Sequence, residues 1–156
     1  MHEDTVNDII FTCGAPNNYR LVTAGEDEEI GVHDLVFNEE SGEIVDNRIA
    51  NIQEQANALS FCPTNQDMIT YAGNDTFLKI VDVSPEILRR NRAPPAKRDA
   101  KTSVAFLQPV ARIEGNKNPI NCLKWINNSE IVTGGYDHAI RIFDTEKEIL
   151  SKTTLS

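Results

Sequence analysis

The sequence predicts an all-β protein built of three four-stranded antiparallel sheets. Three observations support this fold class: short apolar runs alternate with turn residues, one strand–turn–strand unit recurs three times, and no long stretch has helical periodicity. At 156 residues the chain is long enough to bury a core. Its composition, 40% hydrophobic and 25% charged with a net charge of -9, is that of a folded domain.

The recurring unit is an apolar strand, a Gly-x-Asp turn, a second apolar strand and a closing Asp. Its three copies are RLVTAGEDEEIGVHDL (20–35), DMITYAGNDTFLKIVDV (67–83) and SEIVTGGYDHAIRIFDT (129–145). The aspartates of the turns are Asp27, Asp75 and Asp137, and those that close each unit, seven residues later, are Asp34, Asp82 and Asp144. This constant step indicates three structurally equivalent hairpins.

A further short run flanks each unit on either side. The runs before the units are VNDIIFTC (6–13), ANALSFC (56–62) and PINCLKWI (119–126), and those after them are EIVDNRIANI (43–52), FLQPVARIEG (106–115) and EILSKTTLS (148–156). Four strands per unit give three sheets, spanning 6–52, 55–115 and 118–156. Alternation along the first strands predicts that five large side chains point inward or between the sheets: Ile9, Phe11, Leu59, Phe61 and Trp125.

Four consecutive acids, residues 26–29, raise the possibility of a metal or catalytic cluster. In the other two units Glu26 is replaced by Asn74 and Tyr136, and only the Asp is retained. An Asp kept at one turn position is explained by the turn itself, because its carboxylate accepts bonds from backbone N–H groups two or three residues on. We therefore assign the six repeated aspartates a structural role and expect no metal ion and no cofactor.

An insert separates the second and third units. The turn aspartates are 48 and 62 residues apart, against about 40–45 in repeats of four short strands, and the surplus lies in 84–103. Six basic and two acidic side chains give this insert a net charge of +4. Prolines at 85, 94 and 95 oppose a long helix and allow at most one turn at 85–90. A tolerated surface loop, a basic contact for RNA or an acidic protein, and a nuclear-localisation signal all fit this composition.

Sequence motifs for catalysis are absent. The chain has no nucleophile motif, P-loop, HExxH or dinucleotide fingerprint, and no CxxC pair. We interpret His2 as a terminal residue, His33 as a packed side chain and His138 as an exposed hairpin residue. The sequence predicts a non-enzyme with no catalytic residue. No apolar run approaches a membrane span and no signal peptide is evident, so we expect an intracellular protein that does not insert in a membrane.

The three copies TAGED…HD (23–34), YAGND…VD (71–82) and TGGYD…FD (133–144) resemble the WD40 repeat family. The resemblance implies that the sheets are blades of a β-propeller. Such a ring usually has about seven blades, within a range of 4–8. Three blades form an incomplete propeller, so we expect further blades from the rest of a longer chain or from another chain.

The sequence departs from the family pattern in two ways. The Trp that precedes the closing Asp is replaced by His33, Val81 and Phe143, and the Gly-His element appears only as Gly115-Asn116. The His–Asp–Ser/Thr–Trp hydrogen-bond network of the family is therefore expected to be incomplete in every blade. Asp–backbone bonds and packing are then expected to hold the turns.

The basic insert and the stretch 109–156 also resemble the WD-repeat subfamily of the pescadillo–Bop ribosome-assembly complex. That resemblance implies a protein-interaction scaffold in a multiprotein complex, acting in large-subunit rRNA processing in the nucleus and nucleolus, with RNA as a further partner of the insert. A cytoplasmic location remains compatible. The alternative is a substrate- or peptide-recognition propeller, such as a ubiquitin-ligase adaptor or a chromatin reader.

The comparison of the three repeated units and the charge of the insert also predict partner-binding residues. The residue just before the turn aspartate differs from blade to blade, although the residues around it repeat. The fold therefore does not dictate which residue stands there. We predict six partner-binding residues, three at these positions and three in the insert: Glu26, Asn74, Tyr136, Arg89, Arg90 and Arg92. Tyr136, an aromatic ring with a polar tip, is the leading candidate. The alternative is that Tyr136 covers a neighbouring blade.

Overall fold

The computed structural model describes residues 2–92 and 104–155. It contains thirteen strands and one helix in this part of the chain. The elements are β1 (Val6–Ala15), β2 (Asn18–Gly25), β3 (Ile30–Phe37), β4 (Ile44–Ile52), β5 (Ala58–Phe61), β6 (Met68–Ala72), β7 (Leu78–Asp82), α1 (Pro85–Asn91), β8 (Ala105–Phe106), β9 (Ala111–Ile113), β10 (Ile120–Trp125), β11 (Glu130–Gly135), β12 (Ala139–Asp144) and β13 (Ile149–Leu155). The predicted all-β class is confirmed.

The strands form three sheets that follow the sequence order. Blade 1 is β1-β2-β3-β4, blade 2 is β5-β6-β7-β9 and blade 3 is β10-β11-β12-β13, and all these pairings are antiparallel. Strand β5 contacts β1 on one side and β10 on the other, which places blade 2 between its neighbours. The first strand of each blade therefore lies next to the first strand of the following blade.

Blade 1 carries a fifth strand that the sequence did not predict. Strand β8 pairs in parallel with β4, with Ala50 opposite Ala105 and Asn51 opposite Phe106. The run 106–115 was expected to form one strand of blade 2, but only β9 does so. The two apolar pieces of that run are separated by Pro109, which has no N–H to donate to a ladder. The returning chain thus ties blade 2 to blade 1.

Two apolar cores fill the spaces between the blades. The first, between blades 1 and 2, contains Val22, Val32, Ile69 and Tyr71, and the second, between blades 2 and 3, contains Phe143 and its neighbours. Burial of these side chains is the main stabilising term, at roughly 1.5–3 kcal/mol for each large side chain. No single blade has a core of its own, since each core is shared by two sheets.

The expected inward side chains divide into two groups. Leu59 is buried at 1% exposure, and Phe61 and Trp125 are half-buried against the two cores. The prediction is wrong for Ile9 and Phe11, each 57% exposed. In β1 it is Ile10 that packs on the first core. Because side chains alternate along a strand, Ile9 and Phe11 lie on the opposite face of blade 1, away from blade 2.

The first part of the insert is helical. Helix α1 has seven residues, nearly two turns, so the prediction of at most one turn is wrong. Pro85 starts the helix, and Leu88 and Ile87 pack on the first core, which stabilises a helix that would be too short to form alone. Lys97, Arg98 and Lys101 lie outside the described residues. Helix α1, the helix found in residues 2–92 and 104–155, is not long and apolar enough to cross a membrane.

The shared cores predict which large side chains carry stability. We expect Phe143→Ala, at a fully buried site, to lower the free energy of unfolding by about 3–5 kcal/mol through lost burial and a residual cavity. Phe106→Ala is the matched control, because Phe106 is exposed and the same truncation there is expected to cost less than about 1 kcal/mol. Urea unfolding of both variants measures the difference. Equal losses would contradict the assignment of the second core.

Candidate interaction face

Each Gly-x-Asp segment is the turn between the second and third strands of its blade. The residue after the Asp adopts a left-handed backbone conformation in all three blades, with φ of 60° at Glu28, 71° at Thr76 and 58° at His138. The carboxylate of Asp75 accepts a bond from Phe77 N at 3.3 Å, and that of Asp137 accepts one from Ala139 N at 3.2 Å. These are Asx-type turns, in which the side chain replaces a backbone acceptor.

The glycine of the motif is required by close packing. A Cβ built at Gly25 would lie 2.6 Å from His2 Nδ1, and one at Gly135 would lie 2.5 Å from the carbonyl oxygen of Pro119. At Gly73 the obstruction is the carbonyl oxygen of Gln55, also at 2.5 Å. In every blade the segment that enters the first strand therefore rests directly on this glycine, and no larger residue fits without moving it.

Blade 1 holds its turn aspartate with a histidine. His2 Nδ1 lies 2.8 Å from Asp27 Oδ1, His2 Nε2 lies 2.7 Å from Thr23 Oγ1, and Glu3 N donates to Asp27 Oδ2 at 2.9 Å. Burial alone would raise the pKa of Asp27, but these hydrogen bonds and the charge of His2 outweigh it and hold that pKa below its usual value. His2 lies near the start of the given sequence, as predicted, and its bonds to Asp27 and Thr23 are a role that the sequence did not indicate. No Gly precedes it, so the usual Gly-His signal could not identify it.

Blades 2 and 3 replace the histidine with a buried cation four residues after the Asp. Arg141 Nη2 donates to Asp137 Oδ2 at 2.7 Å, and the Lys79 ammonium contacts both Asp75 and Glu54. Both cations are almost fully buried. The hydrogen bond and charge of Arg141 lower the pKa of Asp137, against the opposing effect of burial. Asp–backbone bonds and packing alone therefore do not account for the turns, because each one also has a charged or histidine partner.

The closing aspartates lie at the opposite ends of the blades. Asp82 accepts a bond from Ser84 N at 2.8 Å, and Asp144 accepts bonds from the N–H groups of the residues at 146 and 147, both at 3.0 Å. Asp34 differs: it binds Arg20 Nε at 3.0 Å, and Arg20 also reaches Asp67 of blade 2 at 3.2 Å. Two closing aspartates thus fix turns, and the third joins two blades through an arginine.

The side chains just before the turn aspartates form one edge of the assembly. Glu26 Oε1 accepts a bond from Asn7 Nδ2 at 2.7 Å, and Asn74 Oδ1 accepts one from Asn57 Nδ2 at 3.0 Å. Tyr136 projects from the same edge with 68% of its surface exposed. The three residues therefore lie at equivalent places, but Glu26 and Asn74 also orient an asparagine at or just before the start of the first strand.

The arginines of the insert lie at the other edge. Strand β7 starts after the turn at Asp75 and ends at Asp82, and α1 follows within three residues. Arg89 and Arg90 are exposed on α1, with Arg90 donating to Glu86 at 2.6 Å, whereas Arg92 is half-buried. The six predicted partner-binding residues thus fall into two separate groups. The described residues contain no cluster of three or more His, Cys, Asp or Glu side chains suited to a metal ion.

These features define a class of protein. Consecutive four-stranded antiparallel sheets, each shaped by a Gly-x-Asp turn and packed face to face on the next, are WD40-type blades of an incomplete β-propeller. Residues 107–144 match the family model "WD domain, G-beta repeat". This range covers β9 to β12, and the predicted WD40 resemblance is confirmed.

Two curated relatives have the same name. The chain is 24% identical over 152 residues to "Ribosome biogenesis protein WDR12 homolog" of Trichoplax adhaerens, covering 93% of this chain and 34% of that protein. It is 28% identical over 82 residues to the protein of that name from Drosophila mojavensis, covering 53% of this chain and 18% of the relative. The chain therefore spans about a third or less of the length of these relatives. The predicted resemblance to WD-repeat ribosome-assembly proteins is confirmed.

The ion pair in blade 3 predicts a specific loss of stability. Asp137→Asn removes the partner of the buried Arg141 guanidinium and is expected to cost about 1–3 kcal/mol of the free energy of unfolding. The double variant Asp137→Asn/Arg141→Leu should recover part of that loss, since it removes the unpaired buried charge. Glu146→Gln, at an exposed site, is the control for loss of one negative charge. A double variant no more stable than the single one would contradict the pairing.

The lowered pKa values also predict an acid-dependent effect. A carboxyl whose folded pKa is depressed stabilises the fold above its unfolded value of 3.8, and this contribution is lost as the pH falls through the lower folded value. The stability difference between the wild type and Asp137→Asn should therefore be full near neutral pH and shrink below pH 3.8. Thermal unfolding across this range measures it. A difference that stays constant with pH would show that the carboxylate charge is irrelevant.

Proposed function

We propose that this chain is a non-catalytic scaffold that joins protein partners in ribosome biogenesis, in the processing of the large-subunit precursor. The observation that carries the proposal is the alignment of 93% of this chain with a relative named for ribosome biogenesis. The fold supports it, because WD40-type blades present variable loops on a rigid sheet, and such loops are where recognition concentrates. A nuclear and nucleolar location follows from this role.

Two surface regions are the proposed contact sites. At one edge, Tyr136 offers a large exposed ring with a polar tip, next to turns whose backbone is fixed by buried ion pairs. At the other edge, Arg89 and Arg90 project from a helix that is anchored to the first core by Leu88. Because the two regions lie at opposite ends of the blades, the chain can hold a protein at one edge and RNA or an acidic protein at the other.

Affinity purification tests the proposed function directly. We expect the tagged chain to retain large-subunit precursor particles together with precursor rRNA, and depletion of the protein to cause unprocessed large-subunit rRNA to accumulate. Cullin adaptors or histone tails in place of these particles would instead support a recognition propeller. Microscopy of the tagged chain in the same cells tests the nucleolar location.

The Tyr136 contact predicts a loss of affinity without a loss of stability. Tyr136→Ala is expected to weaken binding of the captured partner by about 1–2 kcal/mol, because exposed aromatic side chains dominate binding hot spots. Its melting temperature should hardly change, since the side chain is exposed. Tyr136→Phe keeps the ring and separates stacking from the hydroxyl. A lower melting temperature with unchanged affinity per folded molecule would assign Tyr136 to packing.

The α1 arginines predict a salt-dependent contact. Replacing Arg89 and Arg90 with Glu should weaken binding to RNA or to an acidic partner, and the loss should be larger at low ionic strength, where the Debye length is longer. Lys152→Glu, at an exposed position of β13, is the matched control for a reversed charge. Filter binding or interferometry across a salt series measures the effect. Binding that matches the wild type at every salt concentration would leave the helix without a recognition role.

A further inference from the structure

Blade 1 is longer than blades 2 and 3 at the edge of the closing aspartates. In blades 2 and 3 the closing aspartate is the last residue of the third strand and pairs with the first residue of the second strand. In blade 1 the ladder continues for three residues beyond Asp34, up to Phe37, which pairs with Ile44. Arg20, opposite Asp34, contacts Asp67, which directly precedes β6 of blade 2. Blade 1 therefore overhangs blade 2 at this edge.

The overhang forms one wall of a cleft of about 460 Å³ between blades 1 and 2. The even-numbered residues of β2 and β3 face blade 2, as their buried members in the first core show. Arg20, Asp34 and Val36 therefore lie on the cleft side of the wall, and the end of the β5–β6 turn, at residues 66 and 67, forms the floor. The volume is within the range of roughly 300–1,000 Å³ found in ligand sites.

Two carboxylates and one guanidinium lie in this cleft. Arg20 Nε is 3.0 Å from Asp34 Oδ1, and Arg20 Nη1 is 3.2 Å from Asp67 Oδ1. The aspartate side chains are 42% and 41% exposed, and neither bond uses Oδ2, so each aspartate can accept a further donor. Two negative charges and one positive charge leave a net charge of -1. His33 and Arg48 do not offset it, because they pair with each other on the opposite face of blade 1.

An apolar strip lies beside the carboxylates. Val36 lines the cleft and is 44% exposed, and Val45, its partner across the β3–β4 ladder, is 57% exposed on the same face. Polar side chains complete the lining: Thr12, Asn18, Asn47 and Gln66. In an extended chain, side chains two residues apart point the same way. Such a chain can place one side chain at the carboxylates and the next but one against the valines.

The β3–β4 hairpin adds negative charge in a fixed conformation. Residues 34–47 contain five acidic side chains and no Lys, Arg or His. At the tip, Asn38 N donates to the carbonyl of Glu43 at 2.8 Å, and Asn38 Oδ1 accepts bonds from the next N–H groups of the turn. Asn17 Nδ2 donates to Glu39 at 2.8 Å, which joins the tip to the β1–β2 turn. A preformed acidic surface attracts a cationic partner without a loss of loop entropy.

We propose that this cleft binds an extended basic segment of a partner protein, in which a Lys or Arg side chain lies two residues from an apolar one. The basic side chain donates to the free oxygen atoms of Asp34 and Asp67, and the apolar one packs on Val36 and Val45. The acidic hairpin repels RNA and acidic peptides, so the cleft selects ligands of the charge opposite to those of the α1 arginines. This partner chemistry goes beyond the scaffold role, and its test does not depend on that role.

Peptide binding to the full-length protein that carries these blades tests the proposal. The probe is a labelled peptide that repeats Arg-Ser-Val-Ser, so that its basic and apolar side chains share one face when it is extended. Matched peptides carry Glu in place of Arg, or Ser in place of Val. We expect both to bind at least roughly tenfold more weakly in fluorescence anisotropy, and we expect the affinity of the first probe to fall as salt rises.

Variants of the protein locate the bound peptide. Val36→Lys should weaken binding at least roughly tenfold, because it places a positive charge where the apolar side chain packs. Val110→Lys is the matched control, at an exposed valine outside the cleft. Asp67→Asn should weaken binding roughly 3- to 10-fold, whereas Glu146→Gln, at an exposed site of blade 3, should not. Melting temperatures report whether each variant folds, and Val36→Lys alters a side chain that carries no structural bond.

Three results would overturn the proposal. The first is equal binding of the glutamate peptide, or no binding of any probe. The second is binding that is indifferent to both Val36→Lys and Asp67→Asn. The third is binding that appears only when Lys97, Arg98 and Lys101 are replaced with Ser, which would assign the cleft to the chain's own basic insert. None of these results bears on the role in ribosome biogenesis, which the purification of precursor particles tests separately.

Discussion

The close approach between each first-strand segment and the glycine of its own blade's turn is the constraint on which the structure depends. At Gly25, Gly73 and Gly135, any side chain would displace the segment that leads into the first strand. That contact positions the first strand against the hairpin, and the first strands in turn meet one another across the blades. A contact inside each blade therefore sets the geometry between blades.

The same turn needs an electrostatic partner, and the three blades supply it differently. His2 binds Asp27 in blade 1, while Lys79 and Arg141 bind Asp75 and Asp137. In blade 3, Asn116 accepts a bond from Thr133 at 3.2 Å, so the place of a histidine is taken by an amide. In blades 2 and 3 the turn carboxylate compensates the charge of an almost fully buried cation, and the partner of the turn aspartate differs from blade to blade.

Most of the fold could be predicted from local sequence patterns. Features that depend on contacts between distant residues could not be predicted in this way. The Gly-x-Asp turns and the alternating strands are patterns that each extend over about a dozen residues or fewer. The three sheets could therefore be predicted from the sequence. The parallel pairing of β8 with β4 joins residues more than fifty positions apart, and no local signal encodes it. The exposure of Ile9 and Phe11 depends on which face of β1 meets blade 2, and alternation alone cannot decide that. His2 was missed for the same reason, since its partner Asp27 lies 25 residues away.

The described residues on either side of the insert are held by core packing and by strand pairing. Helix α1 leaves the end of β7 opposite the Gly-x-Asp turns, and the chain then returns to pair with β4 of blade 1 before entering β9. Leu88, in the first part of the insert, packs on the first core, and β8, directly after the insert, pairs with β4. Helix α1 therefore packs on a core that blades 1 and 2 share. Tyr136 lies in blade 3, which borders the second core, whereas α1 packs on the first core. The two proposed contact sites therefore lie on separate surfaces of the chain.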